Sequence, residues 1–349
     1  MPRGRLRSAG IIGLGHYTPE RVITNQHLEQ ILDTSDEWIR SRTGIAERRQ
    51  ADEGVYSSDL GYEAACRALA DARIPPDKIG LVICGTSTPD MLMPATACLI
   101  QDRIGARRAG AFDLLVACSG FAYGLAVGSQ FVATGACDYV LVVGADVMTR
   151  IVDWEDRSTC VLFGDAAGAV VLGPVEEGQG ILSIHLGADG SGAHLLKVPA
   201  GGLRQPGGTN GIPRRDFCLQ MKGQEVFKFA VKVIGEAAVT VVEQAGLSPS
   251  DVNLFIPHQA NHRIIEAATR RLGVSPDRVF VNLDRYGNTS CASVPLALSE
   301  ARDAGRLAPG DVVVMVGFGG GLSWGAVAMR WVAPGPRPHL ELRSEVSAP

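Results

Sequence analysis

Aromatic residues make up only 6% of this 349-residue chain, and long apolar runs are missing. No stretch approaches the ~18–20 residues that a membrane-spanning helix needs, so no membrane association is expected. The apolar piece at 11–14 is too short for a secretory signal, which leaves a soluble cytoplasmic protein as the expectation. Neither sign of charge dominates: 33 basic residues face 37 acidic ones, a formal −4. That balance argues against a protein that binds nucleic acid through phosphate attraction. Eight cysteines are present, but no Cys-x-x-Cys pair, and most sit inside apolar runs. Reduced, buried thiols are therefore expected rather than a disulfide framework or a zinc site. No P-loop and no His-Glu-x-x-His occurs. Gly13-Leu-Gly15 and Gly317-Phe-Gly-Gly-Gly321 both miss the dinucleotide fingerprint, the first with Thr18 at its sixth position. No metal and no cofactor is expected.

What is abundant is glycine, 42 residues of it, alongside short β-branched runs and Ala-rich stretches of helical character. Strands are expected at 79–84, 111–115, 139–143, 167–172, 254–256, 279–281, 312–316 and 326–331. Helices are expected at 58–72, 95–104, 121–133, 225–245, 262–272 and 294–304. The strand runs are apolar throughout rather than alternating, as in strands covered on both faces. The class is α/β. The Gly/Pro-rich stretch 187–211 reads as a long surface loop, and the tail 334–349 as a fraying end.

The chain also repeats itself. The block 72–84 aligns with 245–257, and one shift of 173 residues (291 − 118) also carries Cys118 onto Cys291 and the run 138–144 onto 311–317. Two copies of one α/β unit follow, at 1–176 and 177–333, with the tail 334–349 beyond them. Two like units packed together create a crevice at their strand ends, where a site draws on both halves.

Within that plan Cys118 is the thiol best placed for chemistry. It ends an apolar run and precedes a small-residue helix, so it sits at a helix N-terminus, where a thiolate is stabilised. Cys291 has a related setting. His258 ends another apolar strand. Asn288 lies in Gly287-Asn-Thr-Ser290, which reads equally as a turn and a helix cap. The glycines at 317–321 suit a backbone that brings N–H groups to a developing oxyanion.

Taken together the motifs resemble β-ketoacyl-[acyl-carrier-protein] synthase III, a condensing enzyme of the thiolase superfamily. The matching segments are Asp33-Thr-Ser-Asp-Glu-Trp-Ile39 with Arg42-Thr-Gly-Ile45, Ala117-Cys-Ser-Gly-Phe121, Phe163-Gly-Asp165 with Gly168, Pro257-His-Gln-Ala-Asn261, Gly287-Asn-Thr-Ser290 and Phe318-Gly-Gly-Gly321. The resemblance implies a thiolase-like fold of two duplicated αβαβα-type halves. It implies a catalytic triad of Cys118, His258 and Asn288, with the N–H groups of Cys118 and Gly320 as the oxyanion hole. It places CoA against Thr34, Trp38, Arg42, Arg157 and Asn261, with Trp38 and Arg157 sandwiching adenine. Phe163 and Met93 would bound the acyl pocket, Met93 across a dimer interface where many relatives carry an aromatic. Tyr286 stands where histidine is frequent. Arg263 and Lys228 would dock an acidic carrier protein.

The implied activity is decarboxylative condensation of a short acyl-CoA with malonyl-[acyl carrier protein] through an acyl-Cys118 intermediate. It would initiate fatty-acid synthesis in a homodimeric cytoplasmic enzyme. The rivals are a related enzyme that primes polyketide or other natural-product synthesis or transfers an acyl group there, and a non-catalytic acyl-CoA-binding protein. The intact Cys118, His258 and Asn288 count against the second.

Overall fold

The computed structural model describes residues 6–207 and 211–333. The chain opens with β1 (Ser8–Tyr17). The short pair β2 (Val22–Thr24) and β3 (Glu47–Arg49) then brackets helices α1 (Asn25–Glu29) and α2 (Asp36–Thr43). There follow α3 (Ser57–Ala72), β4 (Ile79–Gly85), α4 (Thr96–Arg103), β5 (Gly110–Leu114), α5 (Gly120–Ala133), β6 (Tyr139–Val147) and β7 (Asp165–Val175). The second run holds β8 (Gly180–Ala188), β9 (Leu196–Lys197), β10 (Gln220–Met221), α6 (Gly223–Gln244), β11 (Val252–Pro257), α7 (His262–Leu272), α8 (Leu283–Tyr286), α9 (Ser293–Asp303), β12 (Val312–Gly319) and β13 (Ser323–Arg330).

One sheet runs β1-β7-β6-β4-β5 and the other β8-β13-β12-β11. In the first, β5, β4 and β6 pair in parallel and β7 and β1 join antiparallel; in the second, β11 pairs with β12 in parallel and β13 and β8 join antiparallel. Between the sheets, Phe121 and Leu125 of α5 and Leu298 of α9 pack against Ile83, Val142, Leu254 and Met315. Helices α3 and α4 cover the outer face of the first sheet, and α6 and α7 that of the second. The result is five layers, αβαβα, with α5 and α9 in the middle. Strands buried on both faces explain the unbroken apolar runs. Helix α5 reaches its sheet closely because Gly124 and Gly128 carry no side chain. A Cβ there would meet Val142 at 2.6 Å and Leu172 at 2.9 Å.

The repeat has a counterpart in detail. The 3₁₀ turn Pro76–Lys78 is matched by Pro249–Asp251, and Ala117–Ser119 by Ser290–Ala292, each at the same 173-residue shift. Three expectations need correction. The segment 279–281 is no strand: Val279 makes a single bridge to Phe255, so the second sheet lacks a full fifth strand. β1 and β8 were not anticipated. The loop at 187–211 is not wholly irregular, because β8 runs to Ala188 and Leu196–Lys197 pairs with Gln220–Met221. The tail 334–349 lies outside the described residues.

Candidate active site

Cys118 occupies the 3₁₀ turn Ala117–Ser119 that leads into α5. Its neighbour Ala117 has φ 45°, a left-handed conformation that a residue with a Cβ rarely adopts. Ser290, its counterpart in the second half, has φ 50°. The two strained turns face each other and exchange contacts. Cys118 Sγ donates to Ser290 Oγ at 3.3 Å, and Cys291 Sγ donates to the Ala117 carbonyl at 2.8 Å. Strain held in place by partners on both sides is what aims a side chain out of a sharp turn.

Cys118 is only 8% exposed. Burial pushes its thiol up to about 12, while the Ser290 hydroxyl pulls the other way. Burial thus opposes the thiolate that the helix N-terminus favours. His258 follows β11, where its backbone N–H donates to Val316 O of β12 at 2.7 Å. It is 1% exposed, and its ring meets Phe318 edge to face at 5.3 Å. Burial pulls its pKa down to about 3, so the imidazole is neutral. Its Nδ1 is buried without a hydrogen-bond partner among the described residues.

Asn288 is gripped by its backbone. Its N–H donates to Leu162 O at 2.8 Å, and its carbonyl accepts from Gly164 N at 3.1 Å, which sets it beside Phe163. Its side-chain Oδ1 accepts from Ser290 N at 2.9 Å. The amide Nδ2 is thus left as an unspent donor. Through Ser290, Asn288 joins Cys118; through Val316 and Gly319 of β12, the backbones of His258 and Cys118 lie along one strand. A Cβ on Gly319 would sit 2.6 Å from Cys118 N, so the glycine run passes directly against the sulfur's own turn. Ser323 Oγ ties the run down, 3.0 Å from Gly320 O, 3.1 Å from Val116 O and 2.8 Å from Ser119 Oγ. Cys118, His258, Asn288 and Gly320 are thereby brought to the ends of β11 and β12.

A second group gathers around α2 and α7. The Arg157 guanidinium lies 4.8 Å from the Trp38 ring centroid, and Arg157 also donates to Asp33 O. The two side chains touch directly. An aromatic ring between them needs about 3.5 Å on each side, so a sandwich requires Arg157 to swing away. Thr34 Oγ1 is buried and unpartnered among the described residues. Asn261 caps α7 through Oδ1 and donates from Nδ2 to Arg42 O at 3.1 Å. Arg263 reaches Ser41 O at 3.0 Å. Lys228 is exposed on α6, which packs against α7. Phe163 is buried beside Asn288. Met93 is not brought to the site within one chain. It stands 81% exposed beside Leu92 and belongs to none of the apolar clusters.

The sequence reading missed Ser290, Ser323 and Asp146. Asp146, buried at the end of β6, accepts from Thr86, Ser87 and Thr88 on one oxygen and from Cys291 N on the other. Only the 173-residue shift, which carries Ala117 onto Ser290, could have singled one of them out.

Comparison with known proteins places these features in a family. Residues 112–190 match the family model of 3-oxoacyl-[acyl-carrier-protein (ACP)] synthase III, and residues 242–331 match that of its C-terminal part. The chain is 56% identical over 327 residues to a beta-ketoacyl-[acyl-carrier-protein] synthase III of Symbiobacterium thermophilum, covering 94% of this chain and 99% of the relative. It is 53% identical to one of Desulfitobacterium hafniense (strain DSM 10664 / DCB-2), over 93% of this chain and 98% of that protein. Among solved structures, a synthase III from Thermus thermophilus superposes with a TM-score of 0.87 at 51% identity, covering 92% of this chain and 99% of that one. The priming beta-ketosynthase of the R1128 polyketide pathway superposes at 0.90 with 36% identity, over 96% and 99%.

Proposed function

The chain belongs to the 3-oxoacyl-[acyl-carrier-protein] synthase III family, and on that premise we propose how its residues carry the reaction. The enzyme is an acyltransferase that initiates fatty-acid synthesis by condensation. Acyl-CoA and malonyl-[acyl carrier protein] are the family's substrates. Cys118 attacks the acyl-CoA carbonyl, and its thiol proton departs with CoA. The N–H groups of Cys118 and Gly320 hold the tetrahedral oxyanion, each donor worth about 3 kcal/mol. After malonyl-[acyl carrier protein] enters, His258 and Asn288 Nδ2 donate to its thioester oxygen. Carbon dioxide leaves, the electron pair becomes an enolate, and the enolate carbon attacks the acyl carbonyl. The Cys118 sulfur is expelled as thiolate and takes a proton from solvent. The balance closes without metal or redox cofactor.

The observation that carries this reading is the Asn288 side chain. With Oδ1 turned to Ser290 N, Nδ2 is the side chain's free donor among the described residues, as an enolate oxygen requires. A neutral, hard-to-protonate His258 is likewise suited to donating a hydrogen bond.

Trp38, Arg157, Thr34, Arg42 and Asn261 receive CoA, Phe163 bounds the acyl chain, and Arg263 with Lys228 meets the carrier protein. The exposed apolar group Leu92, Met93 and Leu115 supports a homodimer in which Met93 reaches the partner's pocket. Among the described residues no helix is long and apolar enough to cross a membrane, in keeping with a cytoplasmic enzyme. Priming of a polyketide is the second reading, favoured by the high superposition on the R1128 enzyme. Turnover across a panel of acyl-CoAs with fatty-acid and polyketide carrier proteins separates the two.

The test of mechanism is intact-mass spectrometry after mixing with acetyl-CoA. One acetyl group on Cys118 is expected, none on Cys118→Ala, and a normal acyl adduct without condensation on Asn288→Ala. An adduct confined to another cysteine, or equal loss of both half-reactions in Asn288→Ala, refutes the assignment.

A further inference from the structure

Asn288 and His258 sit on separate loops, and the chemistry above needs their two donors at a fixed spacing. Asn288 follows α8, a single turn of four residues that is too short to hold itself. What holds it is Glu300, on α9, whose side chain is 14% exposed. Its Oε2 accepts from Asn282 Nδ2 at 2.8 Å and from Arg285 Nη2 at 2.7 Å. Its Oε1 accepts from Arg285 Nη1 at 2.9 Å and from Tyr286 OH at 2.7 Å. These are charge-assisted bonds, two of them a bidentate arginine pair, the strongest and most directional kind. Tyr286 is separated from Asn288 only by Gly287, whose φ of 63° and ψ of −154° fit glycine alone.

The same helix also reaches the histidine loop. Ser293 Oγ accepts from Gln259 N, next to His258, at 2.7 Å. Gln259 Oε1 accepts from Asn282 N at 3.0 Å, and Gln259 Nε2 donates to Pro257 O at 2.8 Å. Ser293 and Glu300 are seven residues apart, so they share one face of α9 about 10 Å apart along its axis. α9 is thus a rigid bar with one loop tied at each end, and Gln259 with Asn282 closes the circuit between the loops.

We propose that Glu300 is a positioning residue that sets the spacing of Asn288 and His258 for the decarboxylation and condensation step. It touches neither substrate nor reacting atoms, and it acts through Tyr286, Arg285 and Asn282. The Cys118 turn is held by Ser119 and Ser323, outside the Glu300 network, and meets the Asn288 loop through Ser290 and Cys291. Loss of Glu300 therefore falls on one half-reaction. The inference rests on the roles proposed above for His258 and Asn288.

The experiment measures both half-reactions in the full-length enzyme. Glu300→Gln keeps the shape but turns an N–H₂ toward groups that are themselves donors. Misplacement near 1 Å costs on the order of 100-fold, so the condensation kcat is expected to fall about 10- to 100-fold. The rate of acetyl transfer to Cys118 and the KM for acetyl-CoA are expected to change less than about threefold. Tyr286→Phe removes one bond and is expected to show the same split at smaller size; it carries the test if Glu300→Gln does not fold. Parallel loss in both half-reactions, or no loss in either, overturns the inference. Asn288→Ala in the same assays tells the two failures apart: if it shows the split and the Glu300 and Tyr286 variants do not, only Glu300's role is lost. If Asn288→Ala shows no split, the underlying mechanism fails instead.

Discussion

At Cys118 two influences oppose each other, and their sizes decide the outcome. A helix N-terminus favours a thiolate by at most ~2 kcal/mol, about 1.5 pKa units. Burial lifts the thiol to about 12, roughly twice that shift. The balance of the two favours the protonated thiol. Since alkylation proceeds through the thiolate fraction, iodoacetamide inactivation of the substrate-free enzyme is expected to accelerate about tenfold per pH unit from pH 7 to 9. A plateau near pH 8 would mean that the sulfur ionises there after all. The place of Cys118 in a turn before a helix was legible in the sequence. Its ionisation was not, because burial depends on what the other half of the chain lays over it.

At the level of elements, the sites depend on turns pinned by buried polar side chains. Asp146 at the end of β6 is the clearest, since its carboxylate accepts from the backbone N–H groups of Ser87, Thr88 and Cys291, of which only Thr88 N–H has a second acceptor, Thr86 Oγ1, among the described residues. Asp146→Ala strands the buried Cys291 N–H and the half-buried Ser87 N–H, and each costs about 1–3 kcal/mol. A loss of at least about 2 kcal/mol in urea unfolding is expected, and an unchanged midpoint would show that water or another group replaces the carboxylate. Fully buried strands such as β6 and β12 were readable because apolar residues fill both faces. β1 was hidden by Gly10, Gly13 and Gly15, which the packing demands: a Cβ on Gly13 would lie 2.4 Å from that of Ala72. β8 was hidden because it is only half-buried and breaks the apolar pattern. The segment 279–281 has strand-like composition but meets β11 at one residue alone, a matter of tertiary pairing that composition does not record.

For the whole molecule, duplication was legible in the 173-residue shift, and both strained turns obey it. A dimer is implied by family likeness alone, since Leu92, Met93 and Leu115 belong to no sequence pattern that marks an interface. Their exposure on one chain predicts a particle of twice the 36.8 kDa chain mass in sedimentation equilibrium. Leu92→Asp with Met93→Asp is expected to halve that mass. A wild-type monomer at micromolar concentration would defeat the prediction.

The enclosure around Cys118 and His258 bears on timing as well as acidity. Two substrates that arrive one after the other oblige the enzyme to wait while holding a reactive thioester. Walls that keep bulk water off the sulfur lengthen the lifetime of that loaded form. A sulfur this enclosed gives up a ready-made nucleophile and gains patience: on the proposed mechanism the acyl group survives until the carrier protein comes.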